Sequence, residues 1–297
     1  MTAADTNAPD PAAAFVSPLA TRARAALDAA ATDLVALSHA ISADPELAYT
    51  EVRAAARCAD LLERGGLAVE RGAYGLPTAF AARVGSHGPH LVVCAEYDAL
   101  PGVGHACGHN AIAASAVGAG LALAAVAEDA GLRVTVLGTP AEESGGGKVD
   151  LIRAGALAGV DFAMMVHPSP FDDFATPGLA IEEWEVVCTG RASHASFAPH
   201  LGRNALDGVV AGYTALAMLR QHLAPWQQVH GVITEGGQAP NVVPERAAAS
   251  YYLRAATHEE LEELRRRARA CLEGAAVATG TTVDIRTVGH VYDPVRA

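Results

Sequence analysis

Lysine is almost missing from this chain: Lys148 is the only one among 297 residues, and no extended basic tract occurs. With a formal net charge of -12, the chain lacks the positive surface that binds nucleic-acid phosphates. It is an equally poor match for an anionic membrane face. Cysteine is scarce too. The five, at 58, 94, 107, 188 and 271, are an odd number without a repeating spacing. That argues against a disulfide framework and for a reducing, cytoplasmic compartment. The most apolar run, Ala111 to Ala127, is rich in small residues and reads as a buried helix rather than a membrane span. The N-terminal MTAADTNAPDPAAAF carries acids and no basic segment ahead of an apolar core. Residues 1–16 therefore read as a flexible tail, not a signal peptide.

What is present supports a real core: 51% of the residues are hydrophobic, in a length that holds one large domain or two moderate ones. The spacing of apolar residues predicts a helix over Pro18–Ser38, a break at Asp44-Pro45, and a helix over Thr50–Leu62 with Thr50 as its cap. Strands follow at Leu67–Glu70, Thr78–Val84 and Leu91–Ala95. The last is uninterrupted rather than alternating, the mark of a central strand covered on both faces. Asn110 is placed to cap the helix Ala111–Ala127. Then come a strand at Arg133–Gly138, a helix at Val149–Ala154 and a strand at Phe162–Val166. From about Gly178 the order becomes strand, helix, strand, strand, helix, strand, ending near Gly289. That is the β-α-β-β-α-β order of a ferredoxin-like unit.

Three consecutive strands of the first part each finish in polar residues, and strand C-termini of an open α/β sheet are where ligands collect. The first ends in AEYDALPGVGHACGHN. Cys107 and His109, two residues apart in an extended loop, share a face and suit zinc, with cobalt, nickel or manganese as exchangeable alternatives. Asp98 is the candidate carboxylate that hydrogen-bonds a ligand histidine and fixes its tautomer. Glu96 either binds metal directly or orients the loop, and His105 lies beside the ligands or packs against the loop. The second strand ends in GTPAEESGGGK. Glu142 and Glu143 are adjacent, so one can ligate while the other reaches the attacking water. The third ends at His167-Pro168. A lone Glu-Glu pair or strand-end histidine is usually ordinary surface chemistry; the succession of three such loops is what makes the pattern specific. In the second part His194, in GRASHAS, is a candidate donor to a developing oxyanion. Asn241, in GGQAPNVVP, and Arg254, in YYLRA, are candidate clamps for a substrate carboxylate. A redox or cysteine-nucleophile reading of Cys107 lacks a second cysteine at CxxC spacing and explains fewer residues.

Together these motifs resemble the zinc-dependent aminoacylase/carboxypeptidase amidohydrolase family of metallopeptidases. The likeness is greatest to its dipeptidase-like and aminobenzoyl-glutamate hydrolase branch, where the loop ends in CGHN. The resemblance spans about Leu19 to Gly289. It implies a mostly parallel α/β catalytic domain at 17–179, with a ferredoxin-like α+β lid and dimerisation domain at 180–290. Cys107 would bridge two zinc ions, with His109, Glu143 and His167 as further ligands. Asp98 would support the ligands from behind, and Glu142 would be the general base. His194 would donate to the oxyanion, and Asn241 and Arg254 would hold the substrate. The expected reaction is hydrolysis of the amide of a dipeptide, N-acyl amino acid or aminobenzoyl-glutamate, by a homodimer. In the family the chain returns to the catalytic domain and supplies one further histidine ligand. Residues 291–297 read as the start of that return, which leaves a catalytic domain incomplete at its C-terminus. The alternative is an inactive relative that binds metal and dimerises.

Overall fold

Ser17 opens the first helix, α1 (Pro18–Ala43), by accepting the Leu19 N–H on its hydroxyl. Pro18 takes the first turn, where its missing N–H costs no hydrogen bond. The helix runs past the expected end at Ser38 because no breaker precedes Asp44-Pro45. The structure, a computed structural model, describes residues 17–172 and 178–294. The expected tail at 1–16, and 295–297 of the expected return segment, lie outside the described residues. The chain divides into two compact units, Met1–Pro170 and Phe171–Ala297.

In the first unit α1 is followed by α2 (Val52–Arg64), β1 (Ala68–Arg71), β2 (Phe80–Val84), β3 (His90–Ala95), α3 (His109–Ala124), the short α4 (Ala127–Ala130), β4 (Arg133–Gly138), α5 (Gly147–Arg153) and β5 (Phe162–Met164). The sheet order is β1-β2-β4-β3-β5. It is a mixed sheet, not the mostly parallel one expected. β3 pairs in parallel with β4 and β5, whereas β2 runs antiparallel to both β1 and β4. The physical reason lies in the connections. Helical crossovers join β3 to β4 and β4 to β5, and parallel pairing needs such crossovers, while β1 returns to β2 through a short turn.

Alternate residues of each strand enter opposite cores, as the two-residue period requires. Phe80, Ala82, Val93, Ala95 and Val136 face α1, α2 and α3, while Ala81, Val92 and Leu137 face Leu151 of α5. Two expected caps are absent. The Thr50 hydroxyl donates instead to the Leu47 carbonyl at 2.7 Å, and Glu51 occupies the position ahead of α2. Asn110 lies inside α3, with its amide on Ser38, and Gly108 in a left-handed conformation precedes the helix.

The second unit contains β6 (Ala180–Thr189), β7 (Ser193–His194), α6 (Ala205–Arg220), β8 (Gln228–Glu235), β9 (Val242–Val243), β10 (Arg246–Ala255), α7 (His258–Thr279) and β11 (Thr282–Tyr292). Its four-stranded antiparallel sheet has the order β11-β6-β10-β8. Trp184, Val186, Tyr251 and Leu253 pack there with Leu216 of α6 and Leu264 of α7. The two-residue ribbon of β7 and β9, too short to show a period, was not legible in the sequence. Among the described residues no helix is long and apolar enough to cross a membrane.

Two helix glycines separate packing from propensity. A Cβ on Gly120 would lie 2.4 Å from Val136 Cγ2, whereas one on Gly274 would meet nothing within 4 Å. Overpacking costs about 1–3 kcal/mol, and helix propensity returns roughly 1 kcal/mol for alanine over glycine. Gly274→Ala is therefore expected to raise the urea midpoint and Gly120→Ala to lower it.

Candidate metal centre

The C-terminal ends of the parallel strands β3, β4 and β5 bring the three polar loops together. Cys107, His109 and His167 offer donor atoms that all lie within 4.8 Å of one another, and so do His109, Glu142 and Glu143. His109 belongs to both triads. It is completely buried, at the first position of α3.

The tautomers follow from the partners. His109 Nδ1 faces the carbonyl oxygen of Asp98 at 2.9 Å and its carboxylate Oδ1 at 3.0 Å. Both are acceptors, so Nδ1 carries the proton and Nε2 turns its lone pair inward. His167 repeats the pattern: Nδ1 donates to the Pro168 carbonyl at 2.8 Å, and Nε2 points at Cys107 Sγ, 3.6 Å away. The other oxygen of Asp98, Oδ2, accepts the Glu143 N–H at 2.9 Å. One buried carboxylate thus aligns donors from two loops.

His109 Nε2 is surrounded by acids. Glu96 Oε2 lies 3.4 Å away, Glu142 Oε2 3.6 Å and Glu143 Oε1 3.7 Å. Neither His109 Nε2, Glu96 Oε2 nor Glu143 Oε1 has a hydrogen-bond partner, and all three are buried. Inward-facing lone pairs at such distances repel unless a cation sits among them. Among the described residues the one lysine or arginine bonded to these acids is Lys148, and it binds the opposite oxygen of Glu96. A divalent ion fits the gap. Two ligands at about 2.0–2.1 Å from a tetrahedral zinc stand roughly 3.3–3.4 Å apart, close to the spacings seen. Thiolate, imidazole and carboxylate together suit zinc and its neighbours.

Titration reflects the crowding. Burial raises Asp98, but the His109 hydrogen bond and the Glu143 N–H outweigh it and hold the carboxyl below its ordinary value. Burial depresses His109, yet the Asp98 bond and the charges of Asp98, Glu96 and Glu143 leave it raised. Burial and the charge of Glu96 raise Glu142. Burial, with Glu143 beside it, pushes the Cys107 thiol up to about 11.

The remaining candidates are not members of these triads. His105 belongs to neither triad. His194 pairs with Val242 in the β7–β9 ribbon, and directly beyond it the Ala195 N–H donates to the Asn241 carbonyl at 3.0 Å. His194 Nδ1 accepts the Phe197 N–H at 3.2 Å, which leaves its proton on Nε2 as a donor. Arg254 stands apart, over the Tyr252 ring and paired with Ile181. The ribbon adjoins the Arg246 end of β10, and eight residues of strand, roughly 26 Å, separate that end from Arg254. Sequence reasoning missed Lys148 as a partner of Glu96. The one available signal was its place directly after the three glycines of the Glu-Glu loop.

Comparison with known proteins agrees with this architecture. Residues 180–279 match the peptidase dimerisation domain of the M20 family. The chain is 44% identical to the Xaa-Arg dipeptidase of Mus musculus over 295 residues, which is 94% of this chain and 68% of that protein. It is 36% identical to one of the two p-aminobenzoyl-glutamate hydrolase polypeptides of Escherichia coli K12, over 82% of this chain and 55% of that one. It therefore spans between about half and two thirds of these relatives' length. Among solved structures, the aminobenzoyl-glutamate utilization protein of Klebsiella pneumoniae superposes with a TM-score of 0.74 at 21% identity, covering 93% of this chain and 79% of its own. Fold and site define a metal-dependent hydrolase with a two-metal geometry. The chain belongs to the M20 family of metallopeptidases, among the relatives of its dipeptidases and aminobenzoyl-glutamate hydrolases. The His/Cys/Glu cluster and this kinship support metal-dependent amide hydrolysis.

Because burial and the neighbouring glutamates push the Cys107 thiol up to about 11, ligation at neutral pH must expel its proton. Zinc affinity is therefore expected to rise roughly tenfold per pH unit up to that value. The raised His109 adds to the slope at the acid end, where it too must lose a proton. Calorimetry between pH 7 and 9 checks this. Cys107→Ala should remove the alkaline slope, and an affinity independent of pH would take Cys107 out of the donor set.

Proposed function

We propose that this protein hydrolyses the amide bond of a dipeptide or of an aminobenzoyl-glutamate-like N-acyl amino acid, using a pair of zinc ions. The observation that carries the reading is the shared His109. Its orphaned Nε2 lies 3.6 and 3.7 Å from Glu142 and Glu143, and His109 also offers a donor within 4.8 Å of those of Cys107 and His167. Cys107 touches both His167 and Glu143, which supports it as the bridging ligand, with His109, Glu143 and His167 completing the set. Bound zinc would supply an acidified water and a Lewis acid for the substrate carbonyl.

The chain's own residues do the rest. Asp98 holds His109 and the Glu143 backbone in register. Glu142 has a side chain 43% exposed, the most open of the acids around Nε2, and its pKa is raised. Those are the properties of a general base that takes a proton from water and returns it to the leaving amine. His194, with Nε2–H free to donate, would stabilise the oxyanion. Asn241 beside it would hold the substrate's polar groups, and Arg254 would pair with a carboxylate as a separate element. The dimerisation-domain match at 180–279 supports a homodimer.

Substrates to try first are dipeptides ending in arginine and p-aminobenzoyl-glutamate, after the relatives' names. Glu142→Gln is expected to lower turnover by about 10²–10⁴-fold with zinc stoichiometry unchanged, read by amino-acid release and by metal analysis. Wild-type protein that binds zinc but turns over no member of the panel would instead mark a metal-binding scaffold.

A further inference from the structure

The connector between α1 and α2, residues 44–51, reaches both acidic loops. The Glu46 carbonyl accepts the N–H of Ala99, next to Asp98, at 2.9 Å. The Glu46 carboxylate turns the other way and accepts the Arg53 and Ala54 N–H groups at the start of α2, at 2.9 and 2.8 Å. Tyr49 Oη lies 3.1 Å from the Gly145 carbonyl and 2.7 Å from Asp150 Oδ2. Glu51 is the deepest member. It is fully buried, and its Oε1 accepts the N–H of Ala141 at 2.8 Å, across 90 positions of sequence.

Ala141 has a φ of +59°. Glycine is the ordinary occupant of that conformation, and an L side chain holds it only where the surroundings impose it. Here the turn is fixed from outside and inside. Glu51 takes the Ala141 N–H, while the Ala141 carbonyl accepts the N–H groups of Gly146 and Gly147 at 3.0 and 3.1 Å. The next two residues are Glu142 and Glu143. Their pair is therefore tied at both ends by buried carboxylates: Glu51 on the Ala141 N–H and Asp98 on the Glu143 N–H. Asp98 also touches a ligand candidate, His109. Glu51 belongs to neither donor triad; it reaches the Glu142–Glu143 pair through the Ala141 backbone, and its charge also faces Asp98.

We propose that Glu51 is a positioning residue: by holding the left-handed Ala141 turn it aims the Glu142 and Glu143 carboxylates at His109 Nε2. The roles of those two acids rest on the function proposed above; the clamp itself does not. Two backbone-directed carboxylates, rather than one, explain how adjacent glutamates are presented on the same side of a glycine-rich loop that would otherwise sample many conformations.

The test uses the full chain with Glu51→Ala and Glu51→Gln. The glutamine amide oxygen still accepts the Ala141 N–H; alanine leaves that N–H buried and unpaired. Three quantities are read: hydrogen exchange of the metal-free loop at 139–147, zinc affinity by calorimetry, and kcat and KM on a cleaved dipeptide. Glu51→Ala is expected to speed exchange in that loop and to weaken zinc by about 10- to 100-fold. It should also lower kcat with little change in KM. Glu51→Gln should stay close to wild type in all three. Wild-type exchange and zinc affinity in Glu51→Ala would overturn the proposal. So would a glutamine variant as damaged as the alanine one, since the lost charge and not the hydrogen bond would then be responsible. If the wild type binds no zinc, the proposed function falls and the exchange comparison alone decides the clamp. Should Glu51→Ala fail to fold, Glu51→Asp replaces it, because its shorter carboxylate stops short of the Ala141 N–H.

Discussion

One carboxylate sets the geometry of the metal centre. Asp98 hangs from the end of β3, buried, with Oδ1 on His109 and Oδ2 on the Glu143 backbone. The two bonds belong to different loops, from β3 and from β4, so the parallel register of those strands becomes the register of the ligands. A neutral residue at this place would lose a charge-assisted bond to the imidazole. It would also lose control of which nitrogen carries the proton. The unusual acidity of Asp98, maintained against its own burial, records how much the surroundings favour its charged form.

Around this anchor the centre is built with an excess of anions. Glu96, Glu142, Glu143 and the Cys107 thiol converge on two imidazoles whose lone pairs point inward. Such a cluster is costly without positive charge, since each buried ion loses its hydration. The crowding has consequences: burial and the neighbouring carboxylates push the Cys107 thiol up to about 11 and raise Glu142. A metal bound there would displace the proton of the Cys107 thiol. Folding energy from elsewhere in the unit, chiefly the two cores on either face of the mixed sheet, keeps the anions close together.

Much of this was legible in the sequence because strand-end chemistry is local. An apolar run that ends in EYD or HP announces both the strand and the polar residues at its mouth. Cys107, His109, Glu142, Glu143 and His167 fall together for that reason. What escaped notice depended on distant partners. Glu51 looks like an ordinary acid ahead of a helix until Ala141, far along the chain, is seen to rest on it. Asn110 is a residue type that favours caps, but Ser38 competes for its amide and wins. Direction in a sheet is likewise invisible in an apolar pattern. β2 reads the same whether its neighbours run with it or against it, so the antiparallel half of the sheet emerged only from the connections. The two-residue ribbon that pairs His194 with Val242, next to Asn241, offers no periodicity at all.

The scarcity of lysine acquires a chemical meaning once Lys148 is located. No other side chain in the sequence carries a primary amine, and this one is one-third exposed while bonded to the buried Glu96. Amine-directed reagents, acylating enzymes and lysine-specific proteases therefore have a single side chain to address in these 297 residues, and it stands at the rim of the acidic cluster. A label placed there would read the electrostatic state of the centre from within, with no background from other lysines.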